Sequence, residues 1–286
     1  MINSLSNDLI VGAYTNYNWN QIKYWANSID RCGFTGDKAV IVYNSDEDTV
    51  KKLSDLNFKV IVFNQDPISK NYYWPQQNLI IVVQRFFHLW QYLNTTDIDY
   101  RYVITTDVKD VVFQTNPSVW LETYIGTGET IVASSESIKY KDEPWGNDNL
   151  RASYPMMYDE IKEKTIWNCG VQAGTPTALK ELWLQIWFIC QRAGRYNPDQ
   201  AAYNILLNTI AYKKLTRFVH EDEGWAAQLG TTMDETKMNY LRPVLLDPEP
   251  TFDGKHVLNS LGIPFSIVHQ YDRIKSLKNI IENNYG

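Results

Sequence analysis

The sequence predicts a doubly wound α/β fold built on one mixed, largely parallel sheet. Three observations predict it. In the first third of the chain, short apolar runs of strand length alternate with stretches whose apolar residues recur at helical spacing. No Pro/Gly/Ser-rich linker, low-complexity tract or internal repeat divides the 286 residues, so a single domain is expected. Hydrophobic residues make up 44% of the chain, enough to build a large core beneath both faces of a sheet.

The elements follow in order. Residues 9–14 (LIVGAY) form a first strand. Ile22, Trp25, Ala26 and Ile29 then fall on one helical face, and Gly33 stands where that helix stops. Residues 39–43 (AVIVY) make a second strand, Val50, Leu53 and Leu56 a short helix, and residues 59–63 (KVIVF) a third strand. A polar, aromatic loop (NQDPISKNYYWPQQN) leads to a helix over 79–93 and a fourth strand over 102–105 (YVIT). Strands separated by helices pair in parallel through right-handed crossovers. The second half is less regular. It carries strands at 130–134, 167–173 (WNCGVQA) and 265–269 (FSIVH), and helices at 177–192, 199–207 and 274–281.

Composition narrows the function classes. With 27 basic and 33 acidic residues the net charge is -6, which argues against nucleic-acid binding. Three cysteines, Cys32, Cys169 and Cys190, are too few and wrongly spaced for a zinc set, and read as reduced thiols. The N-terminal stretch MINSLSNDLIVGAY lacks a basic, apolar leader, and no apolar run is long enough to span a bilayer. A cytoplasmic location is expected. Ten tryptophans and 19 tyrosines fit packing first and carbohydrate handling second.

In a doubly wound sheet, ligands bind beyond the carboxyl ends of the strands. The segment YRYVITTDVKDVVFQTNP runs a buried strand directly into Asp107 and Asp110. Two carboxylates held there repel, and one tends to stay protonated. A hard divalent ion resolves the conflict, since Mg²⁺ and Mn²⁺ take oxygen ligands and often share them with substrate phosphates. A solvated turn with Asp107 capping a helix is the plainer alternative.

VITTDVKDVVFQTNP resembles the metal-binding segment of glycosyltransferases with the GT-A fold, distantly of glycogenin type, which carry Asp-x-Asp at this strand end. WNCGVQAG (167–174) is similar to the family's Asn-x-Gly-Val strand. PDQAAYN (198–204) is similar to its Asp-Gln-x-x-x-Asn helix start, and IVHQYDR (267–273) to its late His-bearing segment. The four segments occur in the family's order. The spacing departs in one place, because this chain has Asp-x-x-Asp. Counted back from the Asn-Pro that follows, Asp110 matches the metal-binding Asp. Asp107 is displaced by one residue, and is left to bind the metal, to bind it through water, or to hold a donor ribose.

The resemblance implies a GT-A type, Rossmann-like fold with a nucleotide-binding half over about 1–112 and a sugar- and acceptor-binding half over 113–286. It implies a Mn²⁺ (or Mg²⁺) site at Asp107, Asp110 and His269. An imidazole ligand favours Mn²⁺. The donor is expected to be a nucleoside diphosphate-sugar, with UDP the commonest carrier, and the acceptor a carbohydrate hydroxyl. Tyr14, Thr15 and Asn16 after the first strand are placed against the base. Arg85 is suited to grip diphosphate or to hold Asp107. Asn168, Gly170, Gln172 and Gln200 are placed at the sugar. Asp199 is either a helix N-terminal residue or the general base of an inverting transfer, and inversion is the preferred outcome. Glu136, in SSESIKYKDEPWGND, is a second catalytic candidate. That segment, with Asp142, Glu143 and Trp145, reads as a loop lining the sugar pocket, and HEDEGW (220–225) is a competing acidic cluster.

Three rivals remain. A sugar nucleotidyltransferase needs a Gly-rich, basic loop after the first strand, where this chain has AYTNYN. A metal-dependent hydrolase needs more ligands than four scattered histidines supply. A non-catalytic nucleotide-sugar or carbohydrate-binding protein of the same fold would carry the same segments.

Overall fold

The computed structural model describes residues 7–63, 81–191, 193 and 197–286. The aromatic loop at 64–78, the first two residues expected in the helix that follows it, and Arg192 lie outside the described residues.

The first half contains β1 (Leu9–Tyr14), α1 (Trp19–Arg31), β2 (Asp37–Val42), α2 (Glu47–Asp55), β3 (Phe58–Val62), α3 (Ile81–Thr95) and β4 (Val103–Thr106). It is followed by β5 (Val111–Phe113), α4 (Pro117–Tyr124), β6 (Ile131–Lys139), α5 (Pro144–Ser153), α6 (Tyr158–Ile161), β7 (Thr165–Gly174), α7 (Pro176–Cys190) and α8 (Asp199–Leu207). The remainder holds α9 (Ile210–Lys213), β8 (Thr216–Val219), β9 (Ala226–Gln228), α10 (Leu229–Thr232), α11 (Met238–Leu241), β10 (Thr251–Phe252), β11 (Val257–Leu258), β12 (Ile267–His269) and α12 (Lys275–Tyr285).

Seven strands form one sheet in the order β3-β2-β1-β4-β7-β6-β8. The four strands of the first half are parallel, as the alternation predicts. β7 enters antiparallel between β4 and β6, and β6 pairs in parallel with β8, so the sheet is mixed and continuous across both halves. Strand alternation sends Leu9 and Val11 to one face and Ile10 to the other. The first face packs on α3 and α7 through Phe86, Leu89, Leu182 and Trp183. The second packs on α1 and α4 through Ile22, Trp25, Ile29 and Leu121. A sheet covered on both faces accounts for the near-continuous apolar strands.

Several elements differ from the sequence reading. β6 runs on to Lys139 where the sequence reading stopped at 134, since Glu136 bonds across to Asn168 rather than facing water, while β7 matches its predicted run closely. The segment 134–148, read as a loop, completes β6, makes a 3-10 turn over Tyr140–Asp142 and opens the helix α5. Pro144 occupies the first helical position, where its missing N–H costs nothing, and the Glu143 side chain accepts from Gly146 N.

A second, three-stranded sheet, β5-β12-β9, decides where the site falls. After β4 the chain leaves the large sheet and joins this small one within a single turn. Asp107 closes the first strand, its N–H donating to Gly170 O at 2.7 Å, and Asp110 opens the second, its carbonyl accepting from Gln270 N at 2.7 Å. The residues between them span the change of sheet, which gives the Asp-x-x-Asp spacing a structural role. Val108 in that turn seats against Gly12 of β1, where a β-carbon would lie 2.5 Å from Val108 Cγ2. The indole of Trp25 anchors the same strand end through Thr106 Oγ1 at 2.9 Å.

Candidate active site

The change of sheet brings His269 opposite Val111 in the β5–β12 ladder and so beside Asp110. The imidazole Nε2 lies 3.6 Å from Asp107 Oδ2 and 3.7 Å from Asp110 Oδ1. One ligand atom from each of the three residues falls within 4.8 Å of the others. Donor atoms that share one hard cation at about 2.0–2.6 Å stand within roughly 5 Å of one another, so two carboxylate oxygens and one imidazole nitrogen fit such an ion. Gly170 packs directly against them: a β-carbon there would sit 2.7 Å from His269 Cε1 and 2.8 Å from Asp107 Oδ2.

The electrostatics describe a strained trio. Burial raises the pKa of Asp110, with the charge of His269 opposing it and that of Asp107 adding to it. Burial works against ionised Asp107 too, but Arg85 and His269 prevail and hold its carboxyl well below the usual range. Burial would neutralise His269, yet the facing carboxylates of Asp110 and Asp107 leave its pKa raised. A proton on the imidazole therefore offsets the charge of the two facing carboxylates.

Arg85, early in α3, places its guanidinium between two acids. Nη1 pairs with Asp107 Oδ1, and Nη2 lies 3.4 Å from Asp199 Oδ2. Asp199 begins α8 and is 7% exposed; burial raises its pKa against the lowering pull of Arg85. Glu136, on β6, is bound more fully. Its Oε1 accepts from Asn168 Nδ2 and from Gln200 Nε2, each at 2.8 Å, and its Oε2 accepts from Thr231 Oγ1 at 3.1 Å. Asn168 Oδ1 in turn accepts from Gly170 N at 2.8 Å, so a continuous network joins Glu136 to the glycine beside the trio.

The loop after β1 lies at the same end of the sheet. Tyr14 is buried, donates from Oη to Ser45 Oγ at 2.9 Å, and stacks on Tyr17 with ring centroids 6.2 Å apart. Thr15 Oγ1 is buried without a partner among the described residues. Asn16 is exposed in the left-handed region (φ 59) and is held by Asn44 through side-chain and backbone bonds. The phenol of Tyr17 feels Lys109, Asp110 and Asp107, which brings this loop and the Asp107 turn together.

Other predicted residues are placed elsewhere. Gln172 is fully buried; its amide bonds Cys169 O at 3.0 Å and Trp183 Nε1 at 2.8 Å, tying β7 to α7. The HEDEGW cluster is structural: Glu223 closes a capping box with His220, His220 pairs with Asp247 at 3.1 Å, and Glu221 accepts from Ser260 N at 2.8 Å. The residues that sequence reading missed are Tyr17, Thr231 and above all Gln228, whose Oε1 lies 2.7 Å from His269 Nδ1. The signal for Gln228 was present, because it is the polar residue that ends an apolar strand.

The architecture is a Rossmann-like α/β fold around one mixed seven-stranded sheet. A solved structure that shares it is the apo form of the bifunctional glycosyltransferase WbbM, with a TM-score of 0.57 over 92% of this chain at 12% identity. The match covers 45% of WbbM, so this chain spans less than half of that structure's length. WbbM is one of 305 solved chains that match, so the fold assignment does not rest on one neighbour. At this identity the likeness is one of fold. No protein-family profile and no curated protein matches the sequence. Among the described residues, no helix is long and apolar enough to cross a membrane.

Proposed function

We propose that this chain is a metal-dependent glycosyltransferase that moves a sugar from a nucleoside diphosphate-sugar to a carbohydrate hydroxyl. The observation that carries the reading is the convergence of Asp107, Asp110 and His269 at the carboxyl ends of the strands, packed on a glycine that leaves no side chain among them. These three residues would hold Mn²⁺, or Mg²⁺, and the ion would neutralise charge on the departing diphosphate. The mixed N/O donor set favours Mn²⁺.

The chain's own residues then divide the work. Tyr14, Thr15, Asn16 and Tyr17 sit where a nucleoside base enters, and UDP is the preferred carrier. Arg85 orients Asp107 and Asp199. Asn168, Gly170 and Gln200 frame the sugar, with Glu136 ordering Asn168 and Gln200. The general base of an inverting transfer is assigned to Asp199 over Glu136. Burial raises the pKa of both carboxyls, so their hydrogen bonding decides: Glu136 accepts three side-chain hydrogen bonds, whereas among the described residues the side-chain contact of Asp199 is with Arg85 at 3.4 Å, which leaves its carboxylate freer to take a proton from an acceptor hydroxyl.

A thermal-shift screen of UDP, GDP and dTDP, each with and without Mn²⁺, tests the proposal. A stabilisation that needs both nucleotide and metal is expected, greatest for UDP. No shift with any pair would overturn the donor reading, and a shift without sugar transfer to any acceptor would favour a binding protein.

A further inference from the structure

We infer that Gln228 is the positioning residue that sets the tautomer of His269 and aims its Nε2 lone pair at the cation position. The inference rests on the metal-site reading above. β9 and β12 are parallel neighbours, and their register pairs Gln228 with His269, so two polar side chains end adjacent strands at the same level. Gln228 Oε1 lies 2.7 Å from His269 Nδ1, and Gln228 Nε2 donates to Ser134 Oγ at 2.9 Å. All three residues are buried, which denies them water as an alternative partner.

An amide carbonyl accepts and cannot donate. Nδ1 of a neutral His269 must therefore carry the proton, leaving the lone pair on Nε2, the nitrogen that faces Asp107 and Asp110. Ser134 Oγ accepts from the other end of the same amide, so both ends of the Gln228 side chain are engaged. The turn beyond Gln228 is locked as well. Gly230 N donates to Gln270 Oε1 at 3.1 Å, and a β-carbon at 230 would lie 2.2 Å from that oxygen. Gln228 thus acts on the cation position through His269. Partners of this kind typically change metal affinity 10–100-fold.

Two measurements test the inference on the full chain. Long-range ¹H–¹⁵N spectra of the metal-free protein, at a pH where the ring is neutral, are expected to show His269 protonated on Nδ1. An Nε2–H ring would overturn the assignment without reference to any metal. Mn²⁺ titrations followed by the EPR signal of the free ion supply the second readout. Gln228→Leu is expected to weaken binding about 10–100-fold, while Gln228→Glu, which keeps the acceptor, does not weaken it. Thr115→Val removes a bond to Ser266 at the far end of the same small sheet and is expected to leave Mn²⁺ affinity unchanged. Wild-type affinity in Gln228→Leu, or an equal loss in Thr115→Val, would overturn the inference. A wild-type protein with Nδ1–H that binds no Mn²⁺ would sink the metal reading and leave the tautomer assignment standing.

Discussion

Gly170 and His269 are packed so closely that a β-carbon on residue 170 would lie 2.7 Å from the imidazole Cε1. His269 is 2% exposed and bonded behind by Gln228, so it cannot swing away. Gly170→Ala is expected to displace His269 or Asp107 and to cost about 1–3 kcal/mol of stability. A displacement of about 1 Å can cost on the order of 100-fold in rate, so turnover should fall by at least that much. Melting curves and initial rates check both, and wild-type values would show that the contact relaxes freely.

Burial disfavours the ionised form of Asp110 and raises its pKa, so the fold gains nothing from the charge. Asp110→Asn is therefore expected to leave the melting temperature unchanged or higher, the trade typical of a site kept for function. The same variant should lose the stabilisation that Mn²⁺ gives the wild type, since a ligand stabilises only the state that binds it. Retained metal-dependent turnover in Asp110→Asn would refute its role as a ligand.

Arg85 compensates two buried acids at once. Arg85→Met would leave Asp199 without its ion pair and Asp107 with His269 alone, and breaking such a buried arrangement costs about 3–5 kcal/mol. For a chain of this size that corresponds to a fall in melting temperature of roughly 5–8 °C. Arg85→Lys is expected to recover little, because an ammonium lacks the fork that reaches both carboxylates. Differential scanning calorimetry of the two variants decides this.

His88 supplies a pH test remote from the site. It lies in the core of α3, stacked on Phe63 with centroids 3.9 Å apart, and burial pushes its pKa down to about 4 from an ordinary 6.5. The folded state resists protonation that the unfolded chain accepts. The resulting stability is complete above pH 6.5 and is lost as pH falls towards 4, a difference of about 3 kcal/mol. In His88→Phe that component is absent. The stability gap between wild type and variant should therefore close on acidification across this window, as urea titrations at successive pH values would show. A constant gap would exclude His88 as its source.

Legibility in the sequence tracked distance along the chain. Strand and helix alternation through β4 was readable because it depends on local periodicity, and Asp107 and Asp110 stood out because they end one apolar run and precede another. Asp199 was placed at a helix start by the same local logic. The helix α5 was missed because 134–148 was read as one loop, although Glu143 and Pro144 together begin a helix. Gln172, placed at the sugar by resemblance, bonds Cys169 and Trp183.

By itself, then, the sequence determined the parallel core of the sheet and the presence of an acidic strand end, both consequences of neighbouring residues. The tertiary structure decided what that strand end meets. Asp107 faces Gly170 only because β7 pairs antiparallel to β4, and Asp110 faces His269 only because β5 leaves the large sheet to pair with β12. Gln228 reaches His269 through the parallel register of β9 and β12, and Arg85 and Asp199 converge from two helices far apart in the chain. Such contacts are set by strand register and helix docking across long sequence separations, and no local pattern encodes them.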